Sequence, residues 1–222
     1  MHYLTTLCYV LTTVFATSLA AESITYEAPE YMDGEAVGTS DANPMDVDGK
    51  PMWRAVQVYP PNPRVVENYK PMVWDGESWI ASEESRFAGN PKITVEEQEV
   101  KLAGRAEWSG QNPKGHMIPA LVFIAPTDGS YTLAADVMNN QWHGKREVKL
   151  EIYLLDRESA SAKRVGSVIL PIKESTSLTI EAFEVTEGQE IAFLPKFEAM
   201  HNASNIMITD LIITCDNSED PS

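Results

Sequence analysis

Residues 121–137, LVFIAPTDGSYTLAADV, carry the clearest structural pattern in the chain. An unbroken apolar run from Leu121 to Ala125 meets the turn sequence Pro-Thr-Asp-Gly. Beyond the turn, every second residue from Tyr131 to Val137 is apolar. Such a period of two after an Asp-Gly turn is typical of a β-hairpin with one buried face. The stretch therefore predicts two adjacent strands joined by the turn.

The same period of two returns throughout the C-terminal half. It predicts strands at 148–155, 165–170, 178–185, 189–194 and 206–214. The apolar phase shifts around Ala182-Phe183, which indicates a β-bulge. Asp210 shares its phase with isoleucines, so either the last strand bulges there or the carboxylate is buried and hydrogen-bonded. No helical period of 3.6 residues is present, and the pattern predicts an all-β fold, an antiparallel β-sandwich of the jelly-roll type.

The N-terminal half is less regular. A short strand is expected near Ile24, and the hexapeptide from Trp74 to Trp79 predicts a hairpin turn between two strands. Four tryptophans lie in this half: Trp53, Trp74, Trp79 and Trp108. Burial against a second sheet is the expected role of these rings, and a groove lined by several of them is the alternative.

The first twenty residues differ from the rest of the chain. Leu4 to Ala20 contains no charged residue and ends in small residues, as a cleaved secretory signal does. The chain is therefore divided into a signal peptide (1–20), an extended arm (21–51), a β-sandwich domain (52–214) and an acidic disordered tail (215–222). This division predicts a secreted or periplasmic protein. After cleavage Cys215 is left without a second cysteine, so no disulfide is expected within the chain.

The chain is strongly acidic, with 17 Lys and Arg against 33 Asp and Glu and a net charge of −16. Nucleic acids and anionic membranes are bound by clustered Lys and Arg. We therefore expect no nucleic-acid partner, and no membrane partner once the signal has been removed. The charge is compatible with a neutral glycan ligand.

The order of motifs between Pro119 and Thr214 resembles a known class of module. It comprises Ala-Pro-Thr-Asp-Gly-Ser-Tyr-Thr-Leu, the strand 148–155, Phe183-x-Val-x-x-Gly-Gln-Glu-Ile-x-Phe193 and a final apolar strand. This order is similar to jelly-roll modules of secreted bacterial proteins, which often accompany polysaccharide-degrading enzymes and are similar to carbohydrate-binding domains. It is more distantly similar to the C1q/TNF-like jelly roll, which assembles as trimers. The resemblance implies a jelly roll that binds a glycan or forms an oligomer. At Gln189 the chain departs from it, because such modules commonly carry Asp there.

The loop from Asn139 to Lys145 is the strongest candidate for a binding site. A flat indole beside amide and imidazole groups suits a sugar, whose apolar face stacks while its hydroxyls form hydrogen bonds. The alternative is that the tryptophan folds back over the end of the core. A second polar loop precedes the last strand. The predicted ligand-binding residues of the two loops are Asn140, Gln141, Trp142, His143, His201 and Asn202.

Residues Asp41 to Gly49 raise the alternative of a calcium site, because hard cations prefer clustered carboxylates. The EF-hand register fails, since Pro44 occupies the first ligand position of that frame and Ala55 the last. An acidic turn is the default interpretation, and no cofactor is assigned.

No catalytic motif is present in the sequence. Gly-x-Ser-x-Gly and His-Glu-x-x-His are both absent, and no carboxylate pair is nominated by its spacing. The sequence thus favours a secreted, non-catalytic binding module, most plausibly for carbohydrate. An interaction protein that assembles through its jelly roll, and a polysaccharide-active enzyme without a recognisable motif, are the alternatives.

Overall fold

The computed structural model describes residues 23–30, 32, 49, 51–59, 61–81, 91–106, 117–140, 147–197 and 202–216. These ranges contain fourteen strands and one short 3-10 turn, Val66–Asn68. The strands are β1 (Ser23–Glu27), β2 (Trp53–Val58), β3 (Tyr69–Pro71), β4 (Val73–Trp74), β5 (Trp79–Ile80), β6 (Lys92–Glu96), β7 (Glu99–Ala106), β8 (Ile118–Ile124), β9 (Gly129–Asn139), β10 (Val148–Asp156), β11 (Ser161–Leu170), β12 (Ser175–Val185), β13 (Glu190–Phe197) and β14 (Asn202–Asp216). Within these ranges, no helix has the length and apolar character needed to cross a membrane.

The strands form two antiparallel sheets. The eight-stranded sheet has the order β12-β9-β14-β7-β6-β5-β4, with β1 paired to β14, and the six-stranded sheet has the order β11-β10-β13-β8-β2-β3. Of the eight strands from β7 to β14, four belong to each sheet. Among these eight described strands, β10 and β11 are the only consecutive pair that lies in one sheet; every other connection crosses to the opposite sheet. This is the connectivity of a double-sheet jelly roll. The predicted all-β, antiparallel jelly-roll sandwich is confirmed.

The predicted hairpin at 121–137 is wrong. β8 lies between β2 and β13 in the six-stranded sheet, whereas β9 lies between β12 and β14 in the other. The Pro-Thr-Asp-Gly turn thus carries the chain from one sheet to the other. The apolar run explains the difference, because Ala120, Leu121, Val122 and Phe123 are all fully buried and β8 is therefore covered on both faces.

The core between the sheets is rich in aromatic rings. Trp53 is only 1% exposed and packs against Phe123, with ring centroids 5.0 Å apart. Tyr26 of β1 lies on the other side of Phe123 at 5.2 Å. Tyr131 of β9 lies 6.5 Å from the same ring. One phenylalanine thus joins both sheets and the N-terminal strand.

The two irregular positions predicted from the apolar phase are both found. Pairing with β9 shifts register between Ile180 and Phe183 in β12, and between Thr209 and Ile212 in β14. Asp210 is exposed and has a φ of 50°. The bulge, and not a buried carboxylate, therefore explains its phase.

The outer face of the six-stranded sheet carries a second apolar cluster that the alternating pattern did not predict. It comprises Val56, Val58, Tyr69, Ala120, Val122, Tyr153, Leu155, Ala192 and Leu194. The segment between β2 and β3 folds against this face, where Val66 is buried and the Tyr69 hydroxyl donates to the Pro63 carbonyl at 2.9 Å. The outer face is thus covered where this apolar cluster lies.

Several predicted segments lie outside the described residues. They are the signal peptide, the acidic turn from Asp41 to Asp48, Trp108 and residues 217–222. β14 continues through Asp216, two residues into the segment assigned to the tail, and Cys215 is fully buried in it. The short strand predicted near Ile24 is β1.

Candidate functional site

One end of the sandwich, called the loop end, is the end at which β7, β9, β11 and β13 finish. There Asn140 donates its backbone N–H to the Asn205 carbonyl at 2.8 Å, and Val148 stands opposite both Phe197 and Leu170. The connection after β9 and the connection before β14 therefore start and finish side by side. The described residues that flank the two predicted binding loops therefore lie at the same end, which the sequence left open.

Asn139 closes β9 at the loop end and is fully buried. Its Nδ2 donates to the Leu170 carbonyl at 3.3 Å, and its own carbonyl accepts from the Lys173 N–H at 2.9 Å. Its Oδ1 is also buried, but has no hydrogen-bond partner among the described residues. A buried amide oxygen without a donor carries a free-energy cost of about 1–3 kcal/mol, so it is a position that calls for a donor.

Asn205 of β14 repeats this feature on the opposite face of the sheet, because its neighbour Ile206 is the residue paired with Asn139. Its Oδ1 is buried and likewise lacks a partner in the described part of the chain. The exposed Asn140 lies next to it, with its Nδ2 3.5 Å from the Met207 sulfur. These three asparagines, Asn139, Asn140 and Asn205, are called the amide cluster. It places one buried acceptor on the inner face of the sheet and, on the opposite face, a second buried acceptor next to the exposed amide.

The predicted site residues stand as follows. Asn140 is at the loop end, as described. Asn202 begins β14, opposite Ala106, and its side chain is not described. Gln141, Trp142, His143 and His201 lie outside the described residues, so their assignment stays a prediction.

Asn139 and Asn205 lie at the limits of the two candidate loops, 139–145 and 197–205, but neither was predicted to bind the ligand. For Asn139 a signal was available, because it continues the buried phase of Tyr131, Leu133, Ala135 and Val137. A polar residue in the buried phase of a strand end has to find a partner or pay for its desolvation. For Asn205 the sequence held no comparable signal, because its neighbour in space is set by the pairing of β14 with β9.

The outer face of the six-stranded sheet holds two buried carboxylates, Glu151 and Glu190. Glu190 accepts two hydrogen bonds from Arg157, with Nε–Oε1 at 2.6 Å and Nη2–Oε2 at 2.9 Å. Glu151 accepts from Arg164 Nη1 at 2.8 Å and from the Tyr153 hydroxyl at 3.1 Å. These two ion pairs connect the neighbouring strands and turn on the outer face of the sheet.

The two carboxylates do not form the pair that glycoside hydrolysis uses. Glu151 stands opposite Leu194, four residues along β13 from Glu190. At about 3.3 Å per residue they are roughly 13 Å apart. Glycosidase pairs are separated by about 5 to 9.5 Å. Each carboxylate also forms an ion pair with its own arginine. On the described face these two carboxylates therefore stabilise the sheet and do not form an acid–base pair.

Comparison with solved structures found family 29 carbohydrate-binding modules. A variant in complex with mannohexaose aligns over 73% of this chain and 90% of its own, with a TM-score of 0.38 and 12% identity. A variant in complex with cellulohexaose aligns over 72% and 92%, with a TM-score of 0.37 and 13% identity. A further structure, described as a family 29 carbohydrate-binding module, aligns over 73% of this chain and 88% of its own, with a TM-score of 0.37 and 13% identity. No family model and no curated protein matches the sequence.

Proposed function

We propose that this protein is a secreted, non-catalytic module that binds carbohydrate at the loop end. The observation that carries the proposal is the amide cluster, whose two buried oxygens lack donors in the described part of the chain. The connection from Asn140 to residue 147 contains Trp142 and starts at this cluster.

The chemistry of the cluster matches a polyol. Each sugar hydroxyl both donates and accepts, and the amide side chain of asparagine offers both complements. Trp142, three residues beyond Asn139, would supply the flat apolar surface on which a pyranose ring stacks. An aromatic face with a few fixed polar groups orients a sugar without any reaction.

The charge of the protein favours a neutral glycan over an acidic one. With a net charge of −16, the molecule repels polyanions at low ionic strength. Uronic-acid polymers and sulfated glycans are negatively charged and would be repelled by the protein. We therefore expect binding to neutral glycans to depend little on salt concentration.

A glycan array tests the proposal with four proteins: wild type, Trp142→Ala, Asn140→Ala and Glu158→Ala. Glu158 is exposed in the β10–β11 turn, at the opposite end of the sandwich, and serves as the matched control. Mannohexaose and cellulohexaose are included as probes. We expect wild type and Glu158→Ala to bind the same neutral glycans equally, and the other two to give weaker signals. Equal signals from all four proteins, or release of reducing ends from the bound glycan, would contradict it.

A further inference from the structure

The edge of the eight-stranded sheet holds a second feature that the proposed function does not use. β4 and β5 form a hairpin in which Trp74 and Trp79 are directly paired, with ring centroids 5.7 Å apart and planes at 57°. The prediction of a hairpin between these tryptophans is confirmed. Both rings are partly exposed. They differ in this from Trp53, which is buried in the core.

The hairpin holds its inner tryptophan rigidly. The Trp79 Nε1 donates to the Met32 carbonyl at 3.0 Å, and its ring packs against the core. Asp75 Oδ1 accepts from the backbone N–H groups of Glu77 and Ser78 at 3.0 and 2.8 Å. These bonds fix the turn that joins the two tryptophans. Trp74 is therefore held against a fixed neighbour, which lowers the entropic cost of using its exposed surface for binding.

Trp74 forms part of the wall of an open groove of about 680 Å³. Met32 and Val95 add apolar surface to this groove, which also contains Gly76, Glu77, Ser78, Lys92, Thr94 and Glu96. The volume lies in the range of small-ligand sites, about 300–1,000 Å³. An aromatic wall with carboxylate, ammonium and hydroxyl groups close by is the composition that recognises a sugar ring with its hydroxyls.

The groove is separate from the amide cluster. One transverse row of the sheet runs Trp74–Trp79–Ile93–Leu102–Ile206–Asn139, with each residue paired to the next. Five steps of about 4.8 Å between strands place Trp74 roughly 24 Å from Asn139. A monosaccharide or disaccharide at one position cannot touch the other.

We propose that the Trp74 groove is a second carbohydrate-binding site, in which a neutral sugar ring stacks on the indole of Trp74. Glu77, Lys92, Thr94 and Glu96 supply the hydrogen-bond partners for its hydroxyls. The chain then carries two sites on one sheet. A polysaccharide that reaches both is held more tightly than a short oligosaccharide, because the second binding event is intramolecular.

Affinity electrophoresis in native gels tests the proposal, with glucomannan, xylan and mixed-linkage β-glucan as probes. The variants are Trp74→Ala, Trp74→Phe, Glu96→Gln and the control Val73→Ala. Val73 is 49% exposed on the same edge strand and does not line the groove. We expect Trp74→Ala to weaken retardation about tenfold, Trp74→Phe less, and Val73→Ala not at all. Glu96→Gln leaves the packing of the hairpin intact, so its weaker retardation is expected without any change in melting temperature.

Retardation of Trp74→Ala and Glu96→Gln equal to wild type in every gel would overturn the proposal, as would loss of retardation in Val73→Ala to the same extent. The same gels run with Trp142→Ala separate the two sites. Loss with Trp142→Ala alone supports the loop end and overturns the groove, whereas loss with Trp74→Ala alone supports the groove and contradicts the loop end. Migration of wild type unretarded in all three gels would contradict both.

Discussion

At the scale of single residues, Gly166 of β11 shows how closely the two sheets approach at their edge. A Cβ built on Gly166 would lie 2.3 Å from Ile180 Cδ1 and 2.9 Å from Cγ1 of the same side chain in β12. Neither distance is tolerated between carbon atoms, so Ile180 would have to move within a packed core. The absence of a side chain at Gly166 is therefore required for the contact between these strands.

We predict that Gly166→Ala lowers the free energy of unfolding by about 1–3 kcal/mol, the usual cost of overpacking. Ile180→Val removes the Cδ1 atom that lies nearest. In the Ile180→Val background, Gly166→Ala should therefore lower the free energy of unfolding by less. Chemical denaturation of the four proteins of this double-mutant cycle measures the coupling. Ser167→Ala, at the exposed neighbouring position, is the control and should change little. A cost at Gly166 that is the same in both backgrounds would contradict the steric explanation.

The ion pairs of the two sheets contribute differently to stability because their burial differs. The Glu190 side chain is 4% exposed, while its partner Arg157 is 43% exposed. Lys101 and Glu99, by contrast, form a surface pair at 2.8 Å whose side chains are both about a third exposed. A buried carboxylate that loses its arginine stays desolvated without compensation.

Arg157→Ala is accordingly expected to reduce the free energy of unfolding by roughly 3 kcal/mol. Lys101→Ala is expected to cost less than about 1 kcal/mol. Urea denaturation at neutral pH measures both. Arg54 Nη1 lies 3.8 Å from Glu190 Oε1 and partly compensates the buried charge of Glu190. The double variant Arg54→Ala/Arg157→Ala should therefore have a lower free energy of unfolding than Arg157→Ala alone. An effect of Arg157→Ala as small as that of Lys101→Ala would contradict a stabilising role for the Arg157–Glu190 pair.

At the scale of elements, the turn between β4 and β5 has a pH-dependent component. The backbone N–H groups of Glu77 and then Ser78 hold the pKa of Asp75 below its ordinary value of 3.8. A carboxyl with a lowered pKa in the folded state stabilises the turn at pH values above 3.8. This contribution is lost as the pH falls through the folded-state pKa.

We therefore predict that Asp75 titrates with a midpoint below 3.8 in the folded protein, measured by carboxyl carbon NMR. Tryptophan fluorescence should change with the same midpoint, because Trp74 and Trp79 flank the turn. In Asp75→Asn that fluorescence step should disappear. A midpoint at or above 3.8, or a step of the same size in Asp75→Asn, would contradict the role assigned to these hydrogen bonds.

The local pattern of the sequence predicted the elements better than their partners. Alternation identified β9, β10 and β12, and the phase shift at Ala182 identified one bulge. At Asp210 the phase left a bulge and a buried carboxylate as alternatives, and the structure has the bulge. Whether a strand follows its predecessor in the same sheet depends on contacts far away in sequence, and so β8 and β9 were placed together wrongly. The unbroken apolar run in β8 was the available indication that both of its faces are covered.

At the scale of the whole molecule, the jelly-roll connectivity determines where a site can form. In every second connection, after β7, β9, β11 and β13, the chain leaves its strand at the loop end. The sequence identified polar loops as candidates but gave no means of placing them at one end, because this depends on which sheet each strand enters. The amide cluster depends in the same way on the pairing of β9 with β14.

The two proposed sites also predict a specific stoichiometry. A short neutral oligosaccharide bound by wild type should occupy two sites per chain in isothermal titration calorimetry. Trp74→Ala should leave one site, and Trp142→Ala should leave the other. A single site in wild type that is abolished by either substitution would show that the two tryptophans serve one ligand.

Carbohydrate binding at the loop end is tested most directly by NMR of the asparagine side-chain amides and tryptophan indoles during titration with a neutral oligosaccharide. The amide signals of Asn139, Asn140 and Asn205 and the indole signal of Trp142 should shift together along one binding curve. Asn62 and Asn68, in the segment between β2 and β3, should not move. Unchanged amide-cluster signals under conditions where the protein demonstrably binds the oligosaccharide would contradict binding at the loop end.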